Sequence, residues 1–297
     1  MSVLKEITNI IPNAIFNEEM KQHTSFRIGG KADCFISVNN VDELKNTISF
    51  CKENNIPFMV MGNGSNLLVS DNGIRGVVIQ LSKGFSDCTI DGNTVVVQSG
   101  ILLSKLASEL LNASLTGFEA LSGIPGTLGG AIFMNAGAYG TEIKDVVKSI
   151  DYINKDGEIK TITVEDAQLG YRRSIFQQNE GIIIGATLVL QKGEYNQIKQ
   201  EMSEYKKRRN EKQPIEMPSA GSTFKRPQGY FAGKLIQDCN LMGFSIGGAQ
   251  VSKKHAGFIV NTGGATAKDV VALIEHIQKT VFEKFGVMLE PEVKITK

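Results

Sequence analysis

The chain has 297 residues, of which 41% are hydrophobic and 21% are charged, as in ordinary globular proteins. Its formal net charge of +1 gives no electrostatic reason to expect a nucleic acid or a membrane surface as partner. The N-terminal MSVLKEITNI lacks the parts of a signal peptide, and no apolar run reaches the roughly 18 residues of a membrane-spanning helix.

The first two-thirds of the chain consists of short apolar runs separated by glycine turns. Runs rich in β-branched residues predict strands at 33–38, 57–61, 76–81, 93–98, 149–154 and 181–191. Apolar residues at helical spacing predict helices at about 42–53 and 101–112. Because strands outnumber helices and do not alternate with them, the pattern favours an α+β fold over a doubly wound sheet.

The last third begins with a charged helix predicted at about 194–209. The segment NEKQPIEMPSAGS follows, and its prolines predict a domain boundary. Further helices are predicted at about 229–239 and from the capping-box-like TAKD at 266–269 to Gly286. VMLEPEVKI then returns as a predicted strand.

The cysteines and histidines argue against a metal site. The four cysteines form no C-x-x-C motif, and the three histidines lack the spacing of metal ligands. Buried free thiols in a reducing compartment explain the scattered cysteines better than a disulfide framework does. We therefore expect a cytoplasmic protein without a metal ion.

The segment MGNGSNLLVS, residues 61–70, is similar to a phosphate-binding loop. Gly62 and Gly64 leave the backbone bare, while Ser65 and Asn66 add side-chain donors. It is neither G-x-G-x-x-G, since a leucine replaces the third glycine, nor a Walker A loop. Because strand and turn follow it, a diphosphate here would be held by a glycine turn between strands, with little help from a helix dipole.

A second glycine-rich segment, SGIPGTLGGAIFMNAGAYG, covers residues 122–140. Tight turns and close backbone packing would explain it alone. Two such segments in one half of the chain also suit a phosphate-bearing cofactor, because bare backbone N–H groups can reach anionic oxygens. Composition leaves both interpretations open.

Three further stretches carry candidate side chains, although each has a structural explanation when taken singly. Ser222, in SAGSTFKRP, has no nearby histidine base and does not sit in a nucleophile elbow. Arg172 and Arg173, in YRRSIF, could form a surface pair or a carboxylate clamp. Glu290 and Glu292 lie in the strand-like LEPEVKI, where alternation leaves their facing open.

Seven segments occur in one order along the chain: HTSFRIGGKAD, GNGSNLLV, SGIPGTLGGAIFMNAGAYG, YRRSIF, AGSTFKRP, GKLIQDCNLMG and LEPEV. With them the chain resembles, nearly end to end, the bacterial UDP-N-acetylenolpyruvoylglucosamine reductases. The resemblance implies an FAD-binding region of the vanillyl-alcohol-oxidase type in two subdomains at 1–204, with its core at about 26–191. A smaller α/β substrate-binding domain is implied at 205–297. Its last strand, at about 288–297, is expected either to stay in that domain or to return to the FAD-binding region.

The resemblance also implies non-covalent FAD, with GNGSNLLV as the turn that holds the pyrophosphate and SGIPGTLGG along the rest of the cofactor. The residues that match the family's FAD-binding segments are Gly62, Asn63, Gly64, Ser65, Asn66, Ser122, Gly123, Ile124, Gly126, Thr127, Gly130, Asn135, Gly137 and Ala138.

The implied reaction has two halves that share one flavin. NADPH reduces FAD and NADP⁺ leaves. The enolpyruvyl ether of UDP-N-acetylglucosamine then binds, and flavin N5 delivers hydride to its C3 carbon. Negative charge develops at C2 and spreads into the adjacent carboxylate, and the product is UDP-N-acetylmuramate, a peptidoglycan precursor.

The resemblance assigns roles to the three singly weak candidates. Arg172 matches the family's arginine in YR-x-S and is implied to stabilise the developing charge. Glu292 matches the family's glutamate and is implied to assist as a hydrogen-bonding partner, while Ser222 is implied to donate the proton to C2. Lys212, in EKQP, resembles a basic residue near the substrate or nicotinamide phosphates. The hydroxyl, guanidinium and carboxyl groups are expected to meet at the edge of the isoalloxazine ring.

The chain departs from the longer members of this family in one place. Those members carry an insertion with a tyrosine that closes over the substrate, whereas only KGE separates the strand at 181–191 from the next helix here. This is typical of the shorter, type II form. The resemblance therefore assigns no tyrosine to this chain, and it does not identify the element that clamps the UDP diphosphate.

Two other interpretations are an FAD-dependent oxidase of the same cofactor fold acting on another small substrate, and a flavin- or nucleotide-binding protein without catalysis. AGSTF and LEPEV argue against the oxidase, since they belong to the reductase's own domain. The partners expected for a reductase are a UDP-sugar substrate and NADPH. We expect a monomer, with no nucleic acid partner and no membrane insertion.

Overall fold

The structure is a computed structural model and describes residues 2–179 and 181–296. The helices are α1 Ser2–Lys5, α2 Val41–Glu53, α3 Leu103–Asn112, α4 Leu128–Phe133, α5 Tyr195–Lys212, α6 Ala232–Asp238 and α7 Ala267–Phe285. Short 3-10 helices cover Glu6–Asn9, Met20–Gln22, Lys83–Phe85, Glu119–Leu121, Ile143–Asp145 and Ile175–Gln177. Within the described residues, no helix combines the length and the apolar character that crossing a bilayer requires.

The strands are short, as the glycine-punctuated sequence predicts. They are β1 Ile15–Glu19, β2 Lys31–Val38, β3 Phe58–Met61, β4 Leu67–Leu68, β5 Ile74–Leu81, β6 Cys88–Asp91, β7 Thr94–Gln98, β8 Leu115–Thr116, β9 Gly137–Ala138, β10 Thr141–Glu142, β11 Val147–Ile153, β12 Ile159–Thr163, β13 Ile182–Val189, β14 Gln191–Lys192, β15 Ser245–Ile246, β16 Ala249–Val251, β17 Ile259–Asn261 and β18 Lys294–Ile295. The six predicted strands of the first two-thirds appear as β2, β3, β5, β7, β11 and β13, each within two residues of its predicted bounds.

The predicted helices are present, with bounds that differ for local reasons. The charged helix α5 continues to Lys212, because Pro214 is the first residue that interrupts the helical hydrogen bonds. Helix α7 has the predicted capping box of Thr266 and Asp269, and Gly286 ends it in the left-handed conformation with φ 67°. Helix α4 lies inside the second glycine-rich segment, where the glycines gave no indication of a helix.

The predicted C-terminal strand is mostly irregular. Only Lys294–Ile295 forms a strand, and it pairs in parallel with Leu67–Leu68. Pro291, which has no N–H to donate to a ladder, forms only an isolated bridge with Phe224. Lys297, the last residue of that prediction, lies outside the described residues.

The chain divides into two compact units that are each assembled from separate segments. The first unit comprises residues 1–15, 34–63 and 76–208, and the second comprises residues 16–33, 64–75 and 209–297. The predicted boundary at 204/205 lies inside α5, four residues before the break at 208/209. The functional division into an FAD-binding region at 1–204 and a substrate-binding domain at 205–297 stays a prediction.

In the first unit, five antiparallel strands form a sheet in the order β12-β11-β13-β7-β6, and β3 pairs in parallel with β5. Helix α3 places Leu103, Leu106 and Leu110 in the core against Val95 and Val97 of β7. This apolar packing fixes the segment 99–103, against which the second glycine-rich segment is hydrogen-bonded.

The second unit has its own core around α7, the short helix α6 and the sheet β15-β16-β17. Val270, Ile274 and Ile277 project from one face of α7 into this core. Phe26 and Leu68, from the two early segments of the unit, are buried in the same cluster. The segment 209–297 therefore completes its core with residues from the segments 16–33 and 64–75.

Candidate active site

The predicted pyrophosphate turn has the geometry that its sequence indicates. Strand β3 ends at Met61, β4 begins at Leu67, and no helix occurs between residues 61 and 81. Gly64 has φ 61°, a left-handed conformation that glycine adopts without cost. A Cβ atom on Gly62 would lie 2.1 Å from Thr127 Oγ1. The first glycine segment thus approaches the second so closely that no side chain fits at Gly62.

The second glycine-rich segment is held by main-chain hydrogen bonds. Leu103 N–H donates to Gly126 O over 3.1 Å, and Gly129 N–H donates to Ser99 O over 2.8 Å. A Cβ on Gly129 would lie 2.9 Å from the Cβ of Ser99, so close packing explains this glycine. Gly130 is exposed, and a Cβ on it would lie 3.7 Å from Thr127 Oγ1. Packing within the protein therefore does not require a glycine at this position.

Two buried side-chain oxygens beside this segment have no hydrogen-bond partner in the structure. They are Ser99 Oγ, in a residue 1% exposed, and Glu119 Oε1, in a residue 7% exposed. Since buried polar atoms are normally paired, this region suits a polar ligand that carries hydrogen-bond donors. A hydroxyl-rich cofactor such as FAD fits that requirement, with residues 122–130 as the segment of this unit that would hold it.

Arg172 lies on a tight turn between Gly170 and Arg173, which exchange both main-chain hydrogen bonds. Its φ of 54° is left-handed and costs a non-glycine residue of the order of 1 kcal/mol. Gln177 Nε2 compensates by donating to Arg172 O over 3.1 Å and to Phe133 O over 2.9 Å. The end of α4 in the glycine-rich segment therefore fixes the turn that presents the half-buried Arg172 side chain.

Asn135, predicted to contact FAD, makes all its side-chain hydrogen bonds within the protein. Its Nδ2 donates to Glu142 Oε2 and Gly170 O, each over 3.0 Å, and its Oδ1 accepts from Lys144 N–H over 3.1 Å. Its amide group is thereby occupied within the protein, and its contact with FAD stays a prediction. The side chain instead supports the turn of Arg172, whose Nη1 lies 3.5 Å from Asn135 O.

Glu142 adds negative charge near this arginine. Burial opposes its ionisation, but hydrogen bonds from Lys144 and Asn135 and the charges of Lys144 and Arg172 lower the pKa of Glu142 below its ordinary value. The carboxylate is therefore ionised at neutral pH.

Ser222 is exposed and lies between two hydrogen-bonded segments of the second unit. It forms an isolated antiparallel bridge with Phe258, and Thr223 N–H donates to Gly257 O over 2.8 Å. Gly221, with φ 77°, provides the turn just before it. The buried Thr223 also accepts from Ile259 N–H through its Oγ1 over 3.1 Å, so the backbone around Ser222 is rigidly positioned.

The same segment brings the backbone of Glu292 beside Thr223, the residue that follows Ser222. Glu292 N–H donates to Thr223 O over 2.8 Å, although the two residues are far apart in sequence. Asn66 Nδ2 donates to Glu292 O over 3.1 Å, and Lys294 N–H donates to Asn66 O over 2.9 Å. Within the second unit, the structure therefore brings together the predicted proton donor, the predicted carboxyl partner and one residue of the predicted pyrophosphate turn.

Ser25 is a positioning residue that sequence reasoning did not single out. Its N–H donates to Gly64 O over 3.3 Å, and its hydroxyl donates to Ser219 O over 2.7 Å. It thus links the predicted pyrophosphate turn to the segment that leads to Ser222. The motif HTSF contains Ser25, but nothing in that motif indicates which carbonyl groups it binds.

Lys212 is the exposed last residue of α5. Just before it, Asn210 O accepts a hydrogen bond from Lys254 Nζ over 2.7 Å, and Lys254 also lies 3.6 Å from Glu216 Oε2. Lys254 therefore anchors the end of this helix within the second unit.

The thiols and the possible metal ligands are the groups that a nucleophilic site or a metal site would use. Cys34 and Cys51 are buried, and burial raises the pKa of Cys51 to about 11, so that thiol stays protonated. Among the described residues, no group of three or more His, Cys, Asp or Glu side chains is arranged to hold a metal ion.

Comparison with known proteins places these features in a family. Residues 213–296 match the family described as UDP-N-acetylenolpyruvoylglucosamine reductase, C-terminal domain, and residues 32–163 match an FAD binding domain. A relative from Alkaliphilus oremlandii, named UDP-N-acetylenolpyruvoylglucosamine reductase, is 52% identical over 99% of this chain and 98% of its own. The chain belongs to this reductase family.

A relative of the same name from Caldanaerobacter subterraneus subsp. tengcongensis is 53% identical over 94% of this chain and 92% of its own. The crystal structure of UDP-N-acetylenolpyruvylglucosamine reductase (MurB) from Thermus caldophilus is 35% identical, with a TM-score of 0.82 over 96% of this chain and 98% of that one. The expected α+β fold with an FAD-binding domain is confirmed, and the protein is a flavoprotein of peptidoglycan synthesis.

Proposed function

We propose that this protein reduces UDP-N-acetylenolpyruvoylglucosamine to UDP-N-acetylmuramate in the cytoplasm, with NADPH as the reductant. The near full-length similarity to reductases of this name supports the substrate. The single structural observation that carries the mechanism is the hydrogen bond from Glu292 N–H to Thr223 O, because it holds Ser222 and Glu292 on adjacent backbone segments.

FAD, once reduced, supplies the hydride that is added to C3 of the enolpyruvyl group. The protein's task is then to stabilise the negative charge that develops at C2 and in the adjacent carboxylate. Arg172 suits this task, because its turn is fixed by Gln177 before substrate binds and a preorganised donor needs no reorganisation. Its guanidinium would donate to the substrate carboxylate as the charge develops.

Ser222 is proposed to complete the reaction by donating its hydroxyl proton to C2. A hydroxyl is a weak acid toward water, but the enolate carbon is basic enough to accept its proton, and the serine then regains a proton from solvent. Glu292 is proposed to assist as a hydrogen-bonding partner within the second unit. Thr223, bonded to both flanking segments, keeps the serine backbone in register.

Lys212 is proposed to bind the phosphates of the UDP-sugar or of NADPH. Its exposed ammonium at the end of a helix is accessible to an anion, and Lys254 fixes the helix end that presents it. The monomeric state and the preference for NADPH over NADH stay predictions.

The test is anaerobic and separates the two half-reactions in a Ser222→Ala variant. We expect NADPH to bleach the bound flavin at the normal rate, because Ser222 takes no part in that step. Addition of the enolpyruvyl substrate should then form UDP-N-acetylmuramate at least about 100-fold more slowly than in the wild type, the usual range for loss of a general acid. Flavin absorbance and product chromatography measure the two steps.

Ser245→Ala is the matched control, because Ser245 is an exposed serine of the same unit on a different strand. It should leave both half-reactions unchanged. Loss of the NADPH step in Ser222→Ala would contradict the role assigned to Ser222. Rapid oxygen consumption by the wild type with an alcohol substrate, without reductase activity, would support the oxidase instead.

A further inference from the structure

Glu119 is a buried carboxyl group that the proposed mechanism does not use. The residue is 7% exposed and opens the 3-10 turn Glu119–Leu121, directly before the predicted FAD-binding Ser122 and Gly123. Its Oε2 accepts from Gly117 N–H over 2.9 Å, whereas its Oε1 has no hydrogen-bond partner in the structure. One carboxyl oxygen of Glu119 thus has a hydrogen-bond donor, and the other has none.

An unpaired buried carboxyl oxygen is costly, because its water has been removed and nothing replaces it. The neighbouring Ser122 does not supply the missing donor. Ser122 donates both its N–H and its hydroxyl to Glu119 O, over 3.3 and 2.6 Å, so the hydroxyl of Ser122 does not serve the side chain. Among the described residues nothing donates to Glu119 Oε1, which leaves this oxygen to accept from a ligand that binds there.

The position of Glu119 indicates which ligand supplies that donor. Its turn packs against β9 and β10, so Glu119 lies between the two predicted FAD-binding stretches, 122–130 and 137–138. Ser99 Oγ, the other unpaired buried oxygen among the described residues of this unit, belongs to the segment bonded to 126–129. Both unpaired atoms thus flank the segments assigned to the cofactor.

We propose that Glu119 binds FAD directly, by accepting a hydrogen bond at Oε1 from a hydroxyl of its ribityl chain or its ribose. A carboxyl oxygen without a proton can only accept a hydrogen bond, and these hydroxyls are the cofactor's neutral donors. The flavin N3–H is a poorer partner, since a carboxylate beside the ring would oppose the negative charge of the reduced flavin. This proposal rests on FAD binding alone and does not depend on the roles of Ser222, Arg172 or Glu292.

Glu119→Gln is the informative variant, because the amide oxygen can still accept from Gly117 N–H while the charge and the second acceptor are lost. We expect the dissociation constant for FAD, measured by fluorescence during titration of the apoprotein, to rise about 10-fold or more. The melting temperature of the apoprotein should change little, since the hydrogen bond from Gly117 N–H is kept and one unpaired polar group replaces another. The increase in melting temperature produced by FAD should become smaller.

Two fragments of the cofactor locate the hydroxyl. If the ribityl chain is the donor, Glu119→Gln should weaken the binding of FMN and leave that of ADP unchanged, and the ribose would give the opposite result. Unchanged affinity for FAD would overturn the proposal. A fall in the melting temperature of the apoprotein as large as that of the FAD-bound form would also overturn it, by showing a purely structural role.

Two further variants keep the result interpretable. Glu119→Met has a similar volume but removes both acceptors, so its apoprotein should lose stability through Gly117 while its FAD affinity falls at least as far as that of Glu119→Gln. Glu158→Gln, an exposed carboxylate of the same unit paired with Lys160, should leave both quantities unchanged. Glu158→Gln should also keep both half-reactions. Because FAD affinity and apoprotein stability are measured without the UDP-sugar substrate, failure of this proposal is distinguishable from failure of the proposed function.

Discussion

Single glycines of the two cofactor segments differ in what they require. Gly62 has no room for a methyl group because of Thr127, whereas Gly129 packs on the backbone near Ser99 and Gly130 has open space. Composition predicts the same role for all of them. The structure shows that Gly62 is needed for contact between two protein segments, while only an approaching ligand would require Gly130 to be small.

Replacement of Gly62 by alanine should therefore disrupt the approach of its turn to Thr127. The new Cβ would lie 2.1 Å from Thr127 Oγ1, so one segment must move. We expect about 1–3 kcal/mol lower stability, as for other overpacked sites, together with at least 10-fold weaker FAD binding. Urea unfolding and FAD titration measure the two effects.

Thr127→Ala should partly restore stability in the double variant, because it removes the clashing hydroxyl. Gly130→Ala is the comparison within the same cofactor segment. We expect it to leave the apoprotein as stable as the wild type, so that any loss of FAD affinity reports the cofactor itself. A fully stable Gly62→Ala protein with normal FAD affinity would contradict the close approach.

At the scale of elements, the N-terminus of α7 is satisfied by two carboxylates from different origins. Asp269 forms the local capping box with Thr266, and hydrogen bonds from Thr266 lower the pKa of Asp269 despite some burial. Asp71, from a distant segment of the same unit, accepts from Ala267 N–H over 2.7 Å and from Lys268 N–H over 3.0 Å. The sequence predicts the first cap, because it is local, and gives no sign of the second.

Asp71→Ala should expose the first N–H groups of α7 and remove a negative charge from the positive end of the helix. We expect a loss of about 1–2 kcal/mol in the free energy of unfolding, typical of a lost N-terminal cap with its dipole interaction. Denaturant unfolding followed by circular dichroism measures it.

The comparison for this variant is Glu275→Gln, an exposed change in the middle of the same helix, which should have little effect. Equal stability of the Asp71→Ala protein and the wild type would show that water replaces the carboxylate at no cost.

At the scale of the whole molecule, each unit depends on segments that are distant in sequence. Phe26 and Leu68 complete the core around α7, and Asn261 Nδ2 donates to Phe26 O over 3.2 Å. Stability of the second unit therefore reflects packing between its early and late segments. A group in this unit whose pKa differs between the folded and unfolded states therefore makes the stability of all its segments depend on pH.

His255 makes that stability depend on pH. Burial lowers the pKa of His255 below its ordinary value of 6.5, although its own backbone hydrogen bond acts in the opposite direction. The folded histidine is neutral, and its Nδ1 accepts from Gly257 N–H over 3.1 Å. Below about pH 6.5 the unfolded chain binds more protons than the folded one. The contribution of His255 to stability is therefore complete above that pH and is lost as the pH falls.

We expect the melting temperature to fall by about 1–3 °C between pH 7.5 and 5.5, a range above that in which carboxylates become protonated. His255→Asn should abolish much of this fall, because the amide oxygen can accept from Gly257 N–H and does not titrate. Calorimetry at several pH values measures the slope. The same slope in the variant and the wild type would assign the effect to another group.

The sequence by itself determined the elements and the family of this protein. Apolar spacing located the principal strands and helices of the first two-thirds, caps fixed both ends of α7, and seven ordered motifs indicated a flavin-dependent reductase. These features depend on neighbouring residues or on short motifs, so they can be predicted from the sequence. The same motifs supplied the candidates Arg172, Ser222 and Glu292 without showing what positions them.

Only the tertiary structure decided which distant residues become hydrogen-bond partners. Asn66 and Glu292 are 226 residues apart, and their hydrogen bond exists because β4 and β18 pair in parallel. Asn135 directs its side chain to the protein, and Glu119 keeps one oxygen without a partner, for the same kind of reason. A hydrogen bond forms wherever folding places a donor beside an acceptor, and local sequence does not encode which distant residue will occupy that place.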